Sequence, residues 1–140
     1  MGAGVVAVLV WLVALSVYDA RTRRLPNWLT LPGAAVIFCA ATVLGHGVAA
    51  FAGALGLALL YLSMHLVSPR AMGGGDVKLA IGLGALTGAF GADVWVLAAL
   101  GAPMLTVLVA VGAALRGIST VPHGPSMCVA SAAAIGLVMM

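Results

Sequence analysis

Ser68-Pro69-Arg70-Ala71-Met72-Gly73-Gly74-Gly75-Asp76-Val77-Lys78 separates an apolar run ending at Val67 from a shorter one, Leu79 to Phe90. Whether that shorter run crosses a membrane decides the fold. Its twelve residues rise roughly 18 Å as a helix, short of the roughly 30 Å hydrocarbon core. The run lengthens if Lys78 snorkels and Gly91-Ala92 join the helix. Around it lie five other apolar runs: Ala3 to Tyr18, Trp28 to Leu44, Val48 to Val67, Val94 to Leu115 and Ser126 to Met140. If all six cross, the connections after the first, third and fifth share one side. Those connections hold Arg21, Arg23, Arg24, Arg70, Lys78 and Arg116, which are all six basic residues, while Asp93 falls opposite. The positive-inside rule then predicts an all-α bundle of six transmembrane helices, with cytoplasmic basic loops and both termini outside.

Composition agrees. Six Lys/Arg and three Asp/Glu are the only formal charges in 140 residues, 6% of the chain, against about a quarter in a soluble domain. Hydrophobic residues make up 64% and mean hydropathy is +1.26. These values exclude a soluble domain, a disordered chain and a polycationic nucleic-acid binder. A single membrane domain over residues 1–140 is expected, with the lipid bilayer as its surroundings. The first run lacks a basic start, and no small-residue cleavage site precedes Asp19, so it reads as a span rather than a signal peptide. Cys39 and Cys128 fall inside spans and form no C-x-x-C pair, so no metal is expected and both read as small packing residues. Gly53-x-x-Gly56, Gly82-x-Gly84 and Gly84-x-x-x-Gly88 put small residues where helix backbones can approach closely.

Two of the three acids stand at cytoplasmic span ends, Asp19 closing the first and Asp76 opening the fourth. An ionisable group beside a span is costly, which makes each a functional candidate; the plain alternative is a solvated boundary residue neutralised by nearby Arg or Lys. Gly73, Gly74 and Gly75 admit backbone conformations closed to other residues and let a substrate or helix approach Asp76. Pro26 holds Leu25 extended, and Asn27 suits the N-cap of the second helix. The arginines fix topology and meet anionic headgroups; substrate binding is the alternative role. Two carboxylates face to face share a proton, so one serves as base and the other as acid. Such a pair activates water against a peptide carbonyl without metal or cofactor. It requires the first and fourth spans to pack together.

The remaining polar and aromatic residues read more simply. Lys78 anchors its helix at the headgroups, and Asp93 starts a helix. His46 is an outer turn residue, His65 polar glue, and His123 a turn residue. Trp28 and Trp95 suit an aromatic belt at opposite interfaces, and Trp11 is mid-span core or lipid-facing.

The stretch from Asp19 to Asn27, Asp-Ala-Arg-Thr-Arg-Arg-Leu-Pro-Asn, closely resembles the first signature of type IV prepilin peptidases. Gly73-Gly74-Gly75-Asp76-Val77-Lys78 resembles their second, Gly-x-Gly-Asp followed by Val/Ala-Lys. Val121-Pro122-His123-Gly124-Pro125 is similar to their Pro-aromatic-Gly-Pro element, with His123 in the aromatic's place. The resemblance implies an aspartic endopeptidase of the cell membrane that faces the cytoplasm. It would cut basic leaders from prepilin or pseudopilin partners, with Asp19 and Asp76 as catalytic residues. Gly73, Gly74, Gly75, Lys78, Pro26 and Asn27 would support the site. Larger relatives carry a segment with paired C-x-x-C motifs and methylate the new N-terminus. This chain resembles the minimal form associated with Tad/Flp-type pili, so no methyltransferase activity and no S-adenosylmethionine are expected. Two other readings use the same residues: a non-catalytic membrane subunit of a pilus or secretion apparatus, and a small proton- or cation-coupled transporter. The transporter would need acids near the bilayer midplane and discontinuous helices.

Overall fold

The computed structural model describes residues 2–70 and 72–140. It is all-helical: α1 (Gly2–Thr22), α2 (Asn27–Val43), α3 (Gly47–Val67), α4 (Gly74–Phe90), α5 (Ala92–Ala114) and α6 (Gly124–Met139). Helix boundaries follow the breaks in the apolar pattern. Pro26, in extended backbone, caps the start of α2. Gly91 adopts φ 127°, which L side chains rarely reach, and alone joins α4 to α5. Helices α1, α3 and α5 are long and apolar enough to cross a membrane. Helices α2 and α4 have 17 residues and α6 has 16, which gives them roughly 24–26 Å at the α-helical rise.

The doubtful fourth run lengthens at one end only. It gains Gly74 to Lys78, whereas Gly91 breaks the helix and Ala92 begins α5. This α4 is the centre of the bundle, packing on α2, α3, α5 and α6. Nearly every residue from Leu79 to Gly88 is buried in it. The outward faces of the other helices expose Val, Leu and Phe side chains such as Val13, Val36, Leu100 and Leu108. That inversion of the soluble pattern suits contact with lipid.

Glycine spacing produces two kinds of contact. At the α3–α4 seam, a Cβ on Gly53 would collide with Gly84 O, and one on Gly88 would lie 2.7 Å from Ala49 O. There the two backbones touch, as small residues in lipid allow. Gly82 and Gly56 instead make room for indoles. A Cβ on Gly82 would lie 2.9 Å from Trp11 Cη2, and one on Gly56 would lie 3.2 Å from Trp95 Cζ2. Trp95 donates to Gly53 O at 2.9 Å, so it is an interior packing residue rather than part of an aromatic belt. Trp28 is exposed, edge-on to Tyr18. Trp11 donates to Leu29 O at 2.8 Å and wedges between α2 and α4. Cys128 is buried as expected, but Cys39 is exposed on the outside of α2.

The first and fourth helices do not pack backbone to backbone. Helix α1 lies on α6 and touches α2, while no Cα of α1 approaches one of α4 within 8 Å. Side chains bridge them: Trp11, Leu12 and Leu15 from α1 share a core with Leu79 and Leu83 from α4. The separation leaves space at the polar end of the bundle.

Candidate active site

Helix α1 continues past its apolar stretch to Thr22, which puts Asp19 on the last turn. Its side chain turns inward and is only 7% exposed. A buried carboxylate needs hydrogen-bond partners, and Asp19 finds one across the bundle: the Gly124 N–H donates to Asp19 Oδ2 at 2.9 Å. Gly124 opens α6, so this N–H is one of the free donors at a helix start. The following residue, Pro125, has no N–H to offer. A Cβ at Gly124 would lie 2.9 Å from Asp19 Cγ, which means the contact requires glycine for space.

Asp76 stands in the polar first turn of α4, ahead of the apolar run. A cavity of ≈ 310 Å³ lies at this end of the bundle. Its wall includes Asp19, Asp76 and the three glycines Gly73, Gly74 and Gly75, together with Arg23, Arg24, Leu25 and Lys78. Burial, and then the charge of Asp19, push the Asp76 carboxyl up to about 6, with the Gly73 backbone N–H pulling weakly the other way. The structure therefore brings Asp19 and Asp76 to one cavity although their helices stay apart.

Several supporting residues act differently from expectation. None of Gly73, Gly74 and Gly75 has positive φ. Gly73 is extended, Gly74 and Gly75 are already helical, and a Cβ on Gly74 would meet nothing within 4 Å. Only Gly75 is tight, its Cβ position lying 3.3 Å from Leu25 Cβ. Asn27 is not the cap of α2; that place belongs to Pro26. Asn27 Oδ1 instead accepts from Lys78 Nζ at 2.6 Å, so Lys78 ties α4 to α2 rather than reaching for headgroups. Arg23 takes φ 55°, turns the chain out of α1, and donates from Nη2 to Thr120 O at 3.0 Å. With Arg24 it walls the cavity, the place where the alternative substrate-binding role would put them.

His65 pairs with Met72 O and so fastens the loop before α4, the polar glue expected of it. His123 is more than a turn residue. It is half-buried at the start of α6, between Tyr61 of α3 at 2.9 Å and Thr106 of α5. Gly124 and His123 were visible in the sequence only as members of the Pro-His-Gly-Pro element; nothing local points to Asp19, 105 residues away. Asp93 lies in the first turn of α5, the helix-start position expected of it.

An apolar helical bundle with two acids lining one polar cavity defines a multi-pass membrane protein with an acid-lined cavity at one end. The chain belongs to the type IV leader peptidase family, whose profile matches residues 6–139. It is similar to a prepilin leader peptidase/N-methyltransferase of Dickeya chrysanthemi, 43% identical over an 83-residue alignment that covers 54% of this chain. The match spans only 29% of that relative's length. No solved structure matches the chain.

Proposed function

We propose that this protein is a prepilin peptidase of the cytoplasmic membrane, cutting basic leader peptides from prepilins or pseudopilins with an Asp19/Asp76 pair. The observation that carries the proposal is the shared cavity: both acids line it at the end of the bundle that also holds Arg23, Arg24 and Lys78. Family membership supports the reaction class. In this reading residues 1–140 form one membrane domain with six spans and both termini outside, and the cavity opens to the cytoplasm. The one-sided basic residues support that orientation. The acids stand at helix ends rather than mid-helix, which favours a protease over a transporter.

Asp76 carries the shared proton and Asp19 is the base. Asp19 takes a proton from water, and the water oxygen attacks the scissile carbonyl carbon. Asp76 donates its proton to the developing oxyanion. Collapse of the tetrahedral intermediate breaks the C–N bond. The proton held on Asp19 goes to the leaving amine, and the carbonyl proton returns to Asp76. General acid–base steps of this kind each contribute roughly 10²–10⁴-fold.

Co-expression with a prepilin that has a basic leader and one hydrophobic helix tests the proposal by mass measurement of the pilin N-terminus. Wild type is expected to remove the leader, and Asp19→Asn and Asp76→Asn to leave it attached while remaining in the membrane. Wild-type processing by either variant would defeat the proposal.

A further inference from the structure

His123 holds together three helices one residue away from the atom that seats Asp19. Its Nε2 meets the Tyr61 hydroxyl at 2.9 Å and its Nδ1 meets Thr106 Oγ1. Thr106 Oγ1 also donates to Ala102 O at 3.0 Å. A hydroxyl has a single proton. The i−4 geometry gives the Thr106 proton to Ala102 O, and Thr106 then accepts from His123. Nδ1 therefore carries a hydrogen, and Nε2 of the neutral ring is an acceptor. The Tyr61 hydroxyl must then be the donor to Nε2. The chain has one direction: Tyr61 O–H to His123 Nε2, His123 Nδ1–H to Thr106, Thr106 O–H to Ala102 O. Burial lowers the His123 pKa, in keeping with a neutral ring.

This chain does more than join helices. His123 is the residue on which α6 starts, and the next residue donates the Gly124 N–H to Asp19. Among the described residues, that N–H is the only donor to the Asp19 carboxylate. Helix α1 lacks backbone packing against α4. The placement of Asp19 in the cavity it shares with Asp76 therefore depends on where α6 begins.

We propose that Tyr61, His123 and Thr106 are positioning residues: their one-way hydrogen-bond chain fixes the first turn of α6 and, through the Gly124 N–H, holds Asp19 facing Asp76. The proposal rests on the reading of the cavity as a carboxylate-pair protease. His123 touches neither substrate nor reacting atoms in it; it acts through Gly124.

The test uses the full chain in lipid nanodiscs with two readouts. The first needs no substrate. Imidazole ¹⁵N NMR at neutral pH, with the His123 signals assigned by their loss in His123→Phe, reads the tautomer. The expected result is a neutral ring protonated on Nδ1; an Nε2–H tautomer or an imidazolium would overturn the chain. The second readout is steady-state cleavage of a purified prepilin, normalised to folded enzyme. Thr106→Val, Tyr61→Phe and His123→Phe are each expected to lower kcat roughly ten- to a hundredfold, as misplacement of a reacting group does. KM is expected to stay within about twofold, since the loss falls on the transition state. Thr106→Ser, which keeps the hydroxyl, is expected to restore kcat. Unchanged kcat per folded enzyme in Thr106→Val and His123→Phe would overturn the positioning role. So would a loss that appears only as less folded protein. A wild type that cleaves no prepilin would defeat the protease reading itself, and the tautomer would still decide the hydrogen-bond chain.

Discussion

Helix α4 meets its neighbours in two opposite ways. Against α3 it presents glycine, and the backbones of Gly53, Gly84 and Gly88 touch. Against α1 it keeps its distance, with Trp11, Leu12 and Leu15 filling the gap lower down and a cavity at the polar end. The first contact leaves no room for a side chain; the second holds the two acids. Close packing in lipid comes from small residues, whereas a site for chemistry needs separation and a few well-seated polar groups. The glycine seam sets the backbone of α4 directly against α3.

Perturbing the seam should have the largest effect. Gly84→Val places branched carbons where Gly53 O and Ala54 Cα already stand, and even a bare Cβ there would collide with Gly53 O. Overpacking typically costs about 1–3 kcal/mol and occasionally more. Thermal unfolding in detergent should show a much less stable protein or none recoverable. Gly124→Ala acts on the gap instead. Its methyl would stand against the Asp19 carboxylate. Cleavage should fall by about 10²-fold, with a smaller loss of unfolding temperature than in Gly84→Val, because Asp19 is a side chain that can move while Gly53 O and Ala54 Cα are backbone. A Gly124→Ala enzyme that cleaves normally would break the contrast between the two contacts.

A third effect is smaller and depends on pH. The Asp76 carboxyl is raised from an ordinary 3.8 to about 6 in the folded protein. Below pH about 4 both folded and unfolded chains hold the proton, and Asp76→Asn has no advantage on this account. As pH rises from about 4 to 6, the unfolded chain releases its proton first, and wild type loses stability. The difference levels off above pH 6. Asp76→Asn should therefore become more stable than wild type over that interval, by on the order of 1–3 kcal/mol, read as unfolding temperature against pH. A constant difference at all pH values would remove the coupling of Asp76 to its buried setting. The smallest effect is expected at Gly74, where an added Cβ meets nothing within 4 Å. Gly74→Ala should change stability by no more than about 0.5 kcal/mol, whereas Gly75→Ala presses on Leu25 and should be measurably worse.

Much of this arrangement is legible in the residues alone. Six helices follow from apolar runs broken at Asp19, Pro26, Gly45, Pro69, Asp93 and Arg116, because hydropathy and backbone breakers act locally. The junction at Gly91 is not legible there, since Gly91-Ala92 are expected to extend the fourth helix. The two acids stand out because the chain has so few charges. What lies beyond reading is long-range. Lys78 meets Asn27 across 51 residues and Tyr61 meets His123 across 62, and no local pattern announces either partner. The glycine triplet before Asp76 misleads for a different reason. Glycine serves conformational freedom and close approach alike, and only Gly75 uses either, as space for Leu25. Trp95 misleads in the same way: its position near a helix start suits an interface, but Gly53 and Gly56 of α3 draw its ring inside.

The most direct test of the central claim is a double-mutant cycle on the acids, measured as single-turnover cleavage of a prepilin by purified protein in nanodiscs. Residues that share one proton and one water act as a unit, and their losses do not add. Asp19→Asn and Asp76→Asn should each lower the rate by about 10³-fold or more. The double variant should be no slower than the worse single one. Either single variant cleaving at the wild-type rate, or a double variant as slow as the product of the two single losses, would contradict a carboxylate pair acting across the cavity.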